Sequence, residues 1–449
     1  MTSSRSVTGI AFRVSAALLA FGIVVGAGPI GLAQAPVFRS AVELIAVDVQ
    51  VMDGAGNPMG PIGPEAFNVS IGGKQRKVVS AQFVRHAEGV RGLGLQARPA
   101  AAPAVVRDDR LAAAAARTVI LVVDSGSFTP GNMTAPMEAA RAFLGGLAPD
   151  DRVGLYVFPS VMWLPPTTQR APVGVRLANL TGEKEPLRSY YNLAPHEIVD
   201  ITAQSTNPNS FLLLSRTGAV RERESARALD PVLRIQAREC PGNTDADCAI
   251  KIYSEGMSLA TQLERESLSS LGGLEQSLRI LAELPGRKSV VFITGGLLVS
   301  DRLDGRPDPG TFARVMGQSA ARANATIYTV QIDGSVNATG QASKKGIGDT
   351  NLSRDRALLG NWLDDFSRSA GGRRIEVPVG GGEFAFDRVL RETSAYYLLG
   401  VEPADVDRDG RPRELKVKVD SRGATVRNRQ WVVIPQRRQQ IAAAPTSPR

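Results

Sequence analysis

The sequence predicts a doubly wound α/β fold, in which helices cover both faces of a mostly parallel sheet, flanked by antiparallel β-structure. Three observations predict it. Unbroken apolar runs alternate with stretches of helical periodicity between residues 117 and 393, which is typical of parallel strands buried on both faces. Shorter strand patterns precede and follow this region. The composition, 43% hydrophobic and 22% charged, is that of an ordinary globular protein.

The first 33 residues have the pattern of a secretory signal peptide. Arg5 and Arg13 supply positive charge, residues 14–25 are apolar, and small residues lead to Ala33, after which we expect cleavage. An uncleaved membrane anchor is the alternative, although the glycines and proline at 26–31 argue against it. We therefore predict an exported protein, periplasmic or extracellular, with no transmembrane segment once the signal is removed.

Residues 34–86 are predicted to form an N-terminal β module. Strand alternation at 42–51 is followed by short strands at 67–71 and 78–84. Residues 87–116 are rich in Ala, Gly, Pro and Arg without a clear period, which indicates a linker.

The α/β domain is predicted at 117–393, with an insertion at about 193–262. The expected strands are 118–124, 153–158, 289–293, 325–332 and 374–377. The expected helices are 134–147, 263–284 broken or bent near Gly272-Gly273, 312–323, 358–369 and 384–392.

Residues 394–435 return to short strand patterns, at 395–401, 414–419 and 426–433. Either this segment pairs with residues 34–86 in one β module, so that the α/β domain is inserted into it, or the two form separate modules. Residues 436–449 have no period and are expected to form a disordered tail.

Several function classes are excluded by composition and motifs. The net charge of +9 (53 basic against 44 acidic residues) is scattered along the chain, so we expect no nucleic-acid partner. The sequence has two histidines, His86 and His196, too few for a multi-histidine metal site, and we expect His196 to be solvated. No nucleophile elbow or P-loop occurs. Cys240 and Cys248 flank a short polar turn, and export would permit a disulfide between them.

Polar residues follow the expected strands at their carboxyl ends, where doubly wound sheets bind ligands. Asp124 through Ser127 follow the first core strand, Thr294-Gly295-Gly296 follow the strand at 289–293, and Asp333-Gly334 follow the next. A carboxylate beside hydroxyls is a candidate site for a hard cation such as magnesium.

These segments resemble a von Willebrand factor A-type domain, and the chain from about Val42 to Val433 resembles the von Willebrand A-related proteins of acidobacteria. The resemblance is carried by VELIAVDVQVMDGAGNPMG, RTVILVVDSGS, LPGRKSVVFITGG and YYLLGVEPADVDRDGRPRELKVKVDSRGATVRNRQ. It implies a von Willebrand A or Rossmann-like fold and binding of other macromolecules, and it assigns no reaction.

The family's metal-ion-dependent adhesion motif, Asp-x-Ser-x-Ser with a threonine and an aspartate from two further loops, is degraded here. The resemblance places its first aspartate at Asp124 and its threonine at Thr181. Gly126 and Phe128 occupy the two serine positions, and Gly295 occupies the position of the last aspartate. Ser125 and Ser127 are one residue out of step, and a loop shift would be needed to bring either to a metal. The alternative role for Asp124 is to accept hydrogen bonds within its own loop.

We therefore predict an exported, non-enzymatic module for protein binding or adhesion, whose partner is another protein or a surface component of the bacterial envelope. The binding residues are expected in the loops that carry Asp124, Gly126, Thr181, Thr294, Gly295 and Gly296. No cofactor is expected, with magnesium at Asp124, Ser125, Ser127 and Thr181 as the alternative. The rival functions are a hydrolase that uses Asp124 and an envelope scaffold.

Overall fold

A computed structural model of the chain describes residues 44–86, 117–203, 230–242, 246–308, 312–332, 351–378, 380 and 382–436. The predicted signal peptide, the linker at 87–116, Asp333-Gly334 and the tail beyond Gln436 lie outside these residues. The strands are β1 (Ile45–Met52), β2 (Phe67–Ile71), β3 (Lys74–Arg76), β4 (Val78–Arg85), β5 (Thr118–Asp124), β6 (Arg152–Phe158), β7 (Met162–Thr167), β8 (Lys288–Thr294), β9 (Ala325–Ile332), β10 (Arg373–Val377), β11 (Ala395–Val401), β12 (Pro412–Val419), β13 (Thr425–Arg427) and β14 (Trp431–Val433). The helices are α1 (Thr134–Gly145), α2 (Ala171–Ala178), α3 (Pro195–Thr202), α4 (Pro231–Glu239), α5 (Ala246–Ala282), α6 (Phe312–Arg322), α7 (Leu352–Ser369) and α8 (Glu383–Glu392).

A six-stranded sheet has the order β10-β9-β8-β5-β6-β7, with β7 antiparallel to β6 and the other neighbours parallel. Strands β5, β8 and β9 are buried on both faces. Strand β5 is almost entirely apolar, whereas β8 and β9 also bury polar side chains: Lys288, Ser289, Thr294, Thr326, Thr329 and Gln331. The predicted α/β class, with a mostly parallel sheet and separate antiparallel sheets, is confirmed. Strand β7 was not predicted; its Pro165 and Pro166 fit an edge strand because proline cannot donate a ladder hydrogen bond.

Helices pack against both faces of this sheet. On one face, α1, α2 and α8 bury residues such as Phe143 and Phe386 against β5, β6 and β9. On the other face, the second half of α5 packs with α6 and α7 through residues that include Leu274, Met316 and Phe366. Helices therefore cover both faces of the sheet, and the loops that connect strands and helices lie at its two ends.

The two ends of the described chain pair with each other in two antiparallel sheets, ordered β13-β1-β11-β4 and β14-β12-β2-β3. Strand β1 pairs with β11 from Ile45↔Val401 to Val49↔Tyr397, and β2 pairs with β12. Both sheets contribute to one apolar core, which we call the β-sandwich. It contacts the amino ends of the parallel strands, where Arg287 precedes β8 and its Nε lies 3.5 Å from Asp48 Oδ2 on β1.

The insertion is helical where it is described. Helices α3 and α4 and the first half of α5 share an apolar core with Leu298 and Leu358, which places them beside the carboxyl end of β8. Cys240 and Cys248 form a disulfide that joins the end of α4 to the start of α5. The expectation of a solvated His196 is wrong: the side chain is buried, and its Nδ1 lies 3.0 Å from Asp355 Oδ1. No helix in the described ranges is long and apolar enough to cross a membrane.

Helix α5 continues without a break through Gly272 and Gly273, so of the predicted break or bend the break is wrong. The reason for a glycine at 273 is packing. A Cβ there would lie 2.3 Å from Cδ2 of Phe158, at the end of β6. Among the described residues, a Cβ at Gly272 would meet no atom outside its own helix within 4 Å. Gly273 therefore allows the helix to approach the sheet closely.

These adjacent glycines give a matched pair of variants. Gly273→Ala should lower the free energy of unfolding by about 1–3 kcal/mol, because the added methyl overpacks against Phe158. Gly272→Ala should raise it by about 0.5–1 kcal/mol, because alanine loses less backbone entropy in a helix and position 272 is exposed. Urea unfolding of both variants measures the difference, and equal effects would contradict this packing.

Candidate functional site

Asp124 and Thr294 meet at the point where the connections of the parallel sheet diverge. They end the adjacent strands β5 and β8. From β5 the chain continues to α1 on one face, and from β8 it continues to α6 on the other. Such divergence opens a crevice at the carboxyl edge of an α/β sheet.

The Asp124 carboxylate is almost fully buried, at 1% exposure. Its Oδ2 accepts a hydrogen bond of 2.8 Å from the Ser270 hydroxyl on α5 and lies 3.2 Å from Thr294 Oγ1. Its Oδ1 has no hydrogen-bond partner in the part of the chain that the structure describes. One carboxylate thus connects β5, β8 and α5, while half of its hydrogen-bonding capacity is unused.

Ser127 fixes the loop that follows Asp124. Its hydroxyl donates to the Asp124 main-chain carbonyl (2.8 Å) and accepts the Gly295 amide (2.7 Å). Thr294 Oγ1 lies 3.2 Å from the same hydroxyl and accepts the Gly296 amide. The loops after β5 and β8 are therefore joined by hydrogen bonds at the site.

Burial raises the pKa of Asp124 from its usual 3.8 to about 6. Low polarity disfavours the charged form. The hydrogen bonds from Ser270 and Thr294, the positive charge of Lys184 and the hydroxyl of Ser127 lower the pKa and offset part of this rise.

A small cavity adjoins Asp124. Its volume is about 10 Å³, the space of about one water molecule, so it cannot admit an organic substrate. Trp362 also lines it, and its indole Nε1 is buried with no hydrogen-bond partner within the described ranges. The remaining lining is mostly apolar, from Leu271, Leu274, Phe292, Leu297 and Leu363.

A second set of contacts joins the loop at 181–184 to the loop at 125–128. The Ser125 hydroxyl lies 2.6 Å from Glu183 Oε1 and 2.7 Å from the Phe158 carbonyl, and Ser160 donates to Glu183 Oε2. The Glu183 amide donates to the Ser125 carbonyl at 2.9 Å. Ser125 is thus bonded to Glu183 and the end of β6.

The structure brings Asp124, Ser127, Thr294 and Gly295 together through hydrogen bonds. Thr181 is exposed, and no hydrogen bond joins it to Asp124. The residues that sequence analysis missed are Ser270, Glu183 and Trp362. Ser270 lies within a stretch with recognisable helical spacing, but its partner is 146 positions away, and only the packing of α5 on the sheet brings the two together.

The residues around Asp124 do not fit magnesium. That ion prefers an octahedron of oxygen ligands. Here Oδ2 is already bonded by hydroxyl groups, and the space beside the carboxylate is lined mainly by leucine and aromatic side chains. The described residues also contain no group of three or more His, Cys, Asp or Glu side chains that could hold a metal.

Comparison of the sequence with protein-family models and with curated proteins gives no match, so the functional proposals for this chain depend on residue geometry.

Proposed function

We propose that this chain is an exported binding module of the von Willebrand A type that recognises another protein or an envelope surface component without a catalysed reaction and without a metal. Two features support the type: a mostly parallel sheet with helices on both faces, and a buried aspartate at the carboxyl end of β5, where the resemblance places the motif's first residue.

The observation that carries the proposal is the cross-bonding of what we call the carboxyl-end loops, residues 125–132, 159–161 and 181–184. Ser127 connects the first of these loops to the loop after β8, and Glu183 connects all three carboxyl-end loops through Ser125 and Ser160. Loops already held in one conformation lose less entropy on binding, which favours affinity. The β-sandwich contacts the amino ends of the parallel strands, and the carboxyl-end loops lie at the opposite end of the sheet.

One of these loops carries an exposed apolar side chain. Val161, in the turn between β6 and β7, is 68% exposed. It is flanked by Ser160, whose hydroxyl is bonded to Glu183. Because Val161 is exposed on a loop that hydrogen bonds hold in place, it is the position from which a partner bound to these loops would be reached.

The hydrolase alternative is supported by one observation, the raised pKa of Asp124, since general acids require such a shift. The cavity beside the carboxylate has space for about one water molecule and none for a substrate. For this reason we favour a binding module. An envelope scaffold would use the same surface with higher valency, and light scattering of the mature chain distinguishes assembly from simple binding.

Photo-cross-linking in the native envelope tests the surface. We expect a photoreactive residue at Val161 to yield a defined cross-linked partner. The same residue at Val406, equally apolar and 61% exposed but in the turn between β11 and β12 of the β-sandwich, should yield none. Cross-linking of the same partner from both positions, or from Val406 alone, would contradict a binding surface at the carboxyl-end loops.

A further inference from the structure

The contact between the β-sandwich and the amino ends of the parallel strands is rich in positive charge. Five arginines face two carboxylates, Asp48 on β1 and Glu392 at the end of α8. Arg287 Nε and Arg429 Nη2 lie 3.5 and 3.2 Å from Asp48 Oδ2. Glu392 is paired with the remaining arginines. We call this group the basic seam: Arg287, Arg373, Arg388, Arg427 and Arg429.

Positive charge in the seam exceeds what its carboxylates neutralise. The side chain of Asp48 is 9% exposed and is paired with two guanidinium groups, and Glu392 is fully buried and is paired with three. Lys288, itself 1% exposed, lies next in sequence to Arg287, but its ammonium donates to the main-chain carbonyls of Leu284 and Ala323 and is not part of the seam. Burial and the charge of Arg429 lower the pKa of Lys288 to about 8. Buried cations normally have paired anions, yet Arg287 and Arg429, the two least exposed of these arginines, share the single carboxylate of Asp48.

Hydrogen-bond donors in the seam also lack acceptors. Among the described residues, no acceptor bonds to Arg287 Nε, Arg373 Nε, Arg429 Nη1 or the amide Nε2 of Gln50, which is 2% exposed. Buried donors in native structures are almost always bonded. Four unbonded donor nitrogens, three of them on arginines, are the complement of an oxyanion.

The backbone brings these donors to one place. Gln50 on β1 is the strand partner of Arg427, and its Oε1 accepts a 2.8 Å hydrogen bond from the Tyr328 hydroxyl. Tyr328 on β9 is in turn the strand partner of Arg373. Arg429 forms a β-bridge with Ala370, just before β10.

We propose that the basic seam binds a doubly charged oxyanion such as inorganic phosphate. Guanidinium groups match the geometry of phosphate oxygens and hold them through paired hydrogen bonds. Arg373 and Arg388 are 29% and 41% exposed, so the ion reaches the buried donors past their side chains. The seam lies at the opposite end of the sheet from the carboxyl-end loops, so this proposal is independent of the proposed function.

Equilibrium dialysis with radiolabelled phosphate at pH 7.5 and constant sodium chloride tests the site. We expect about one phosphate per chain, and Arg373→Gln should weaken binding by about tenfold, the equivalent of one lost charge-assisted contact. Arg279→Gln on α5, which removes an arginine whose side chain is 65% exposed, should leave the affinity unchanged. If circular dichroism shows that Arg373→Gln does not fold, the more exposed Arg388→Gln takes its place and should also weaken binding.

Absence of saturable binding to the wild-type chain, or equal affinity in the Arg373→Gln and Arg279→Gln variants, would overturn the proposal. A second experiment measures co-sedimentation of the protein with vesicles that contain phosphatidic acid, because its headgroup is also a phosphate. Vesicle binding that depends on Arg373, without binding of free phosphate, would also overturn it, because the ligand would then be a membrane surface. Binding of free phosphate that depends on Arg373 supports it.

Discussion

Replacing Glu392 by alanine is expected to lower the free energy of unfolding by about 3–5 kcal/mol, the cost of breaking a buried ion pair from one side. The side chain is fully buried and its carboxylate contacts arginines from three elements, Arg373 on β10, Arg388 on α8 and Arg427 on β13. Without it, three guanidinium groups would face one another. Glu392 therefore contributes to the attachment of the β-sandwich to the parallel sheet.

Urea unfolding at pH 7.5 measures this loss. The matched control is Glu376→Ala, which removes a carboxylate that is 36% exposed and paired with a single arginine, Arg374. We expect the control to change the free energy of unfolding by less than about 1 kcal/mol, as for other exposed ion pairs. Similar losses in both variants would show that Glu392 does not join the two parts of the fold.

Replacing Asp124 by asparagine is expected to stabilise the protein at neutral pH. The folded state raises the pKa of Asp124 from 3.8 to about 6, and a shift of roughly 2 units corresponds to about 3 kcal/mol. The amide can still accept the hydrogen bond from Ser270, while its unbonded N–H group costs about 1 kcal/mol. The net expected gain at pH 7.5 is about 2 kcal/mol.

The sign of this effect depends on pH. Between about pH 4 and 6 the unfolded chain ionises at Asp124 while the folded chain retains the proton, so the wild-type stability contributed by this group falls as pH rises. At pH 4 the folded carboxyl group is neutral and the penalty is absent. Asp124→Asn should therefore be slightly less stable than wild type at pH 4 and more stable at pH 7.5.

Urea unfolding of both proteins across this pH range tests the prediction. Asp365→Asn is the control, since that side chain is 69% exposed and pairs with Arg368 on its own helix, so its stability difference should stay small at both pH values. If the wild-type protein is more stable than Asp124→Asn at pH 7.5, the ionised carboxylate of Asp124 does not destabilise the folded state, and the prediction is wrong. If that advantage required magnesium, it would indicate a metal at Asp124.

The strands of the parallel sheet could be predicted because burial on both faces leaves an unmistakable apolar run, as in TVILVVD at β5. Edge strand β7 could not, because Pro165 and Pro166 give it no such run. Helix α5 was predicted to break or bend at its two glycines, and only the ring of Phe158 explains why a glycine is needed at position 273. The local hydrophobic pattern thus identifies helices and strands, but it does not show how closely they pack against each other.

The candidate site shows the same division. Asp124 could be identified because it ends a predicted strand, and Thr294 because it follows another. Ser270 and Glu183 could not, because their roles depend on where α5 and the loop at 181–184 lie against the sheet. The buried position of His196 was missed for a related reason: its partner Asp355 is 159 residues away.

The most direct test of a binding surface that is held together by hydrogen bonds rather than by a metal is the yield of cross-linked partner from position 161, measured with EDTA and then with added magnesium. The hydrogen bonds of Ser127, Thr294 and Glu183 need no ion, so the yield should be the same in both conditions. A yield that disappears in EDTA and returns with magnesium would contradict this account of the site.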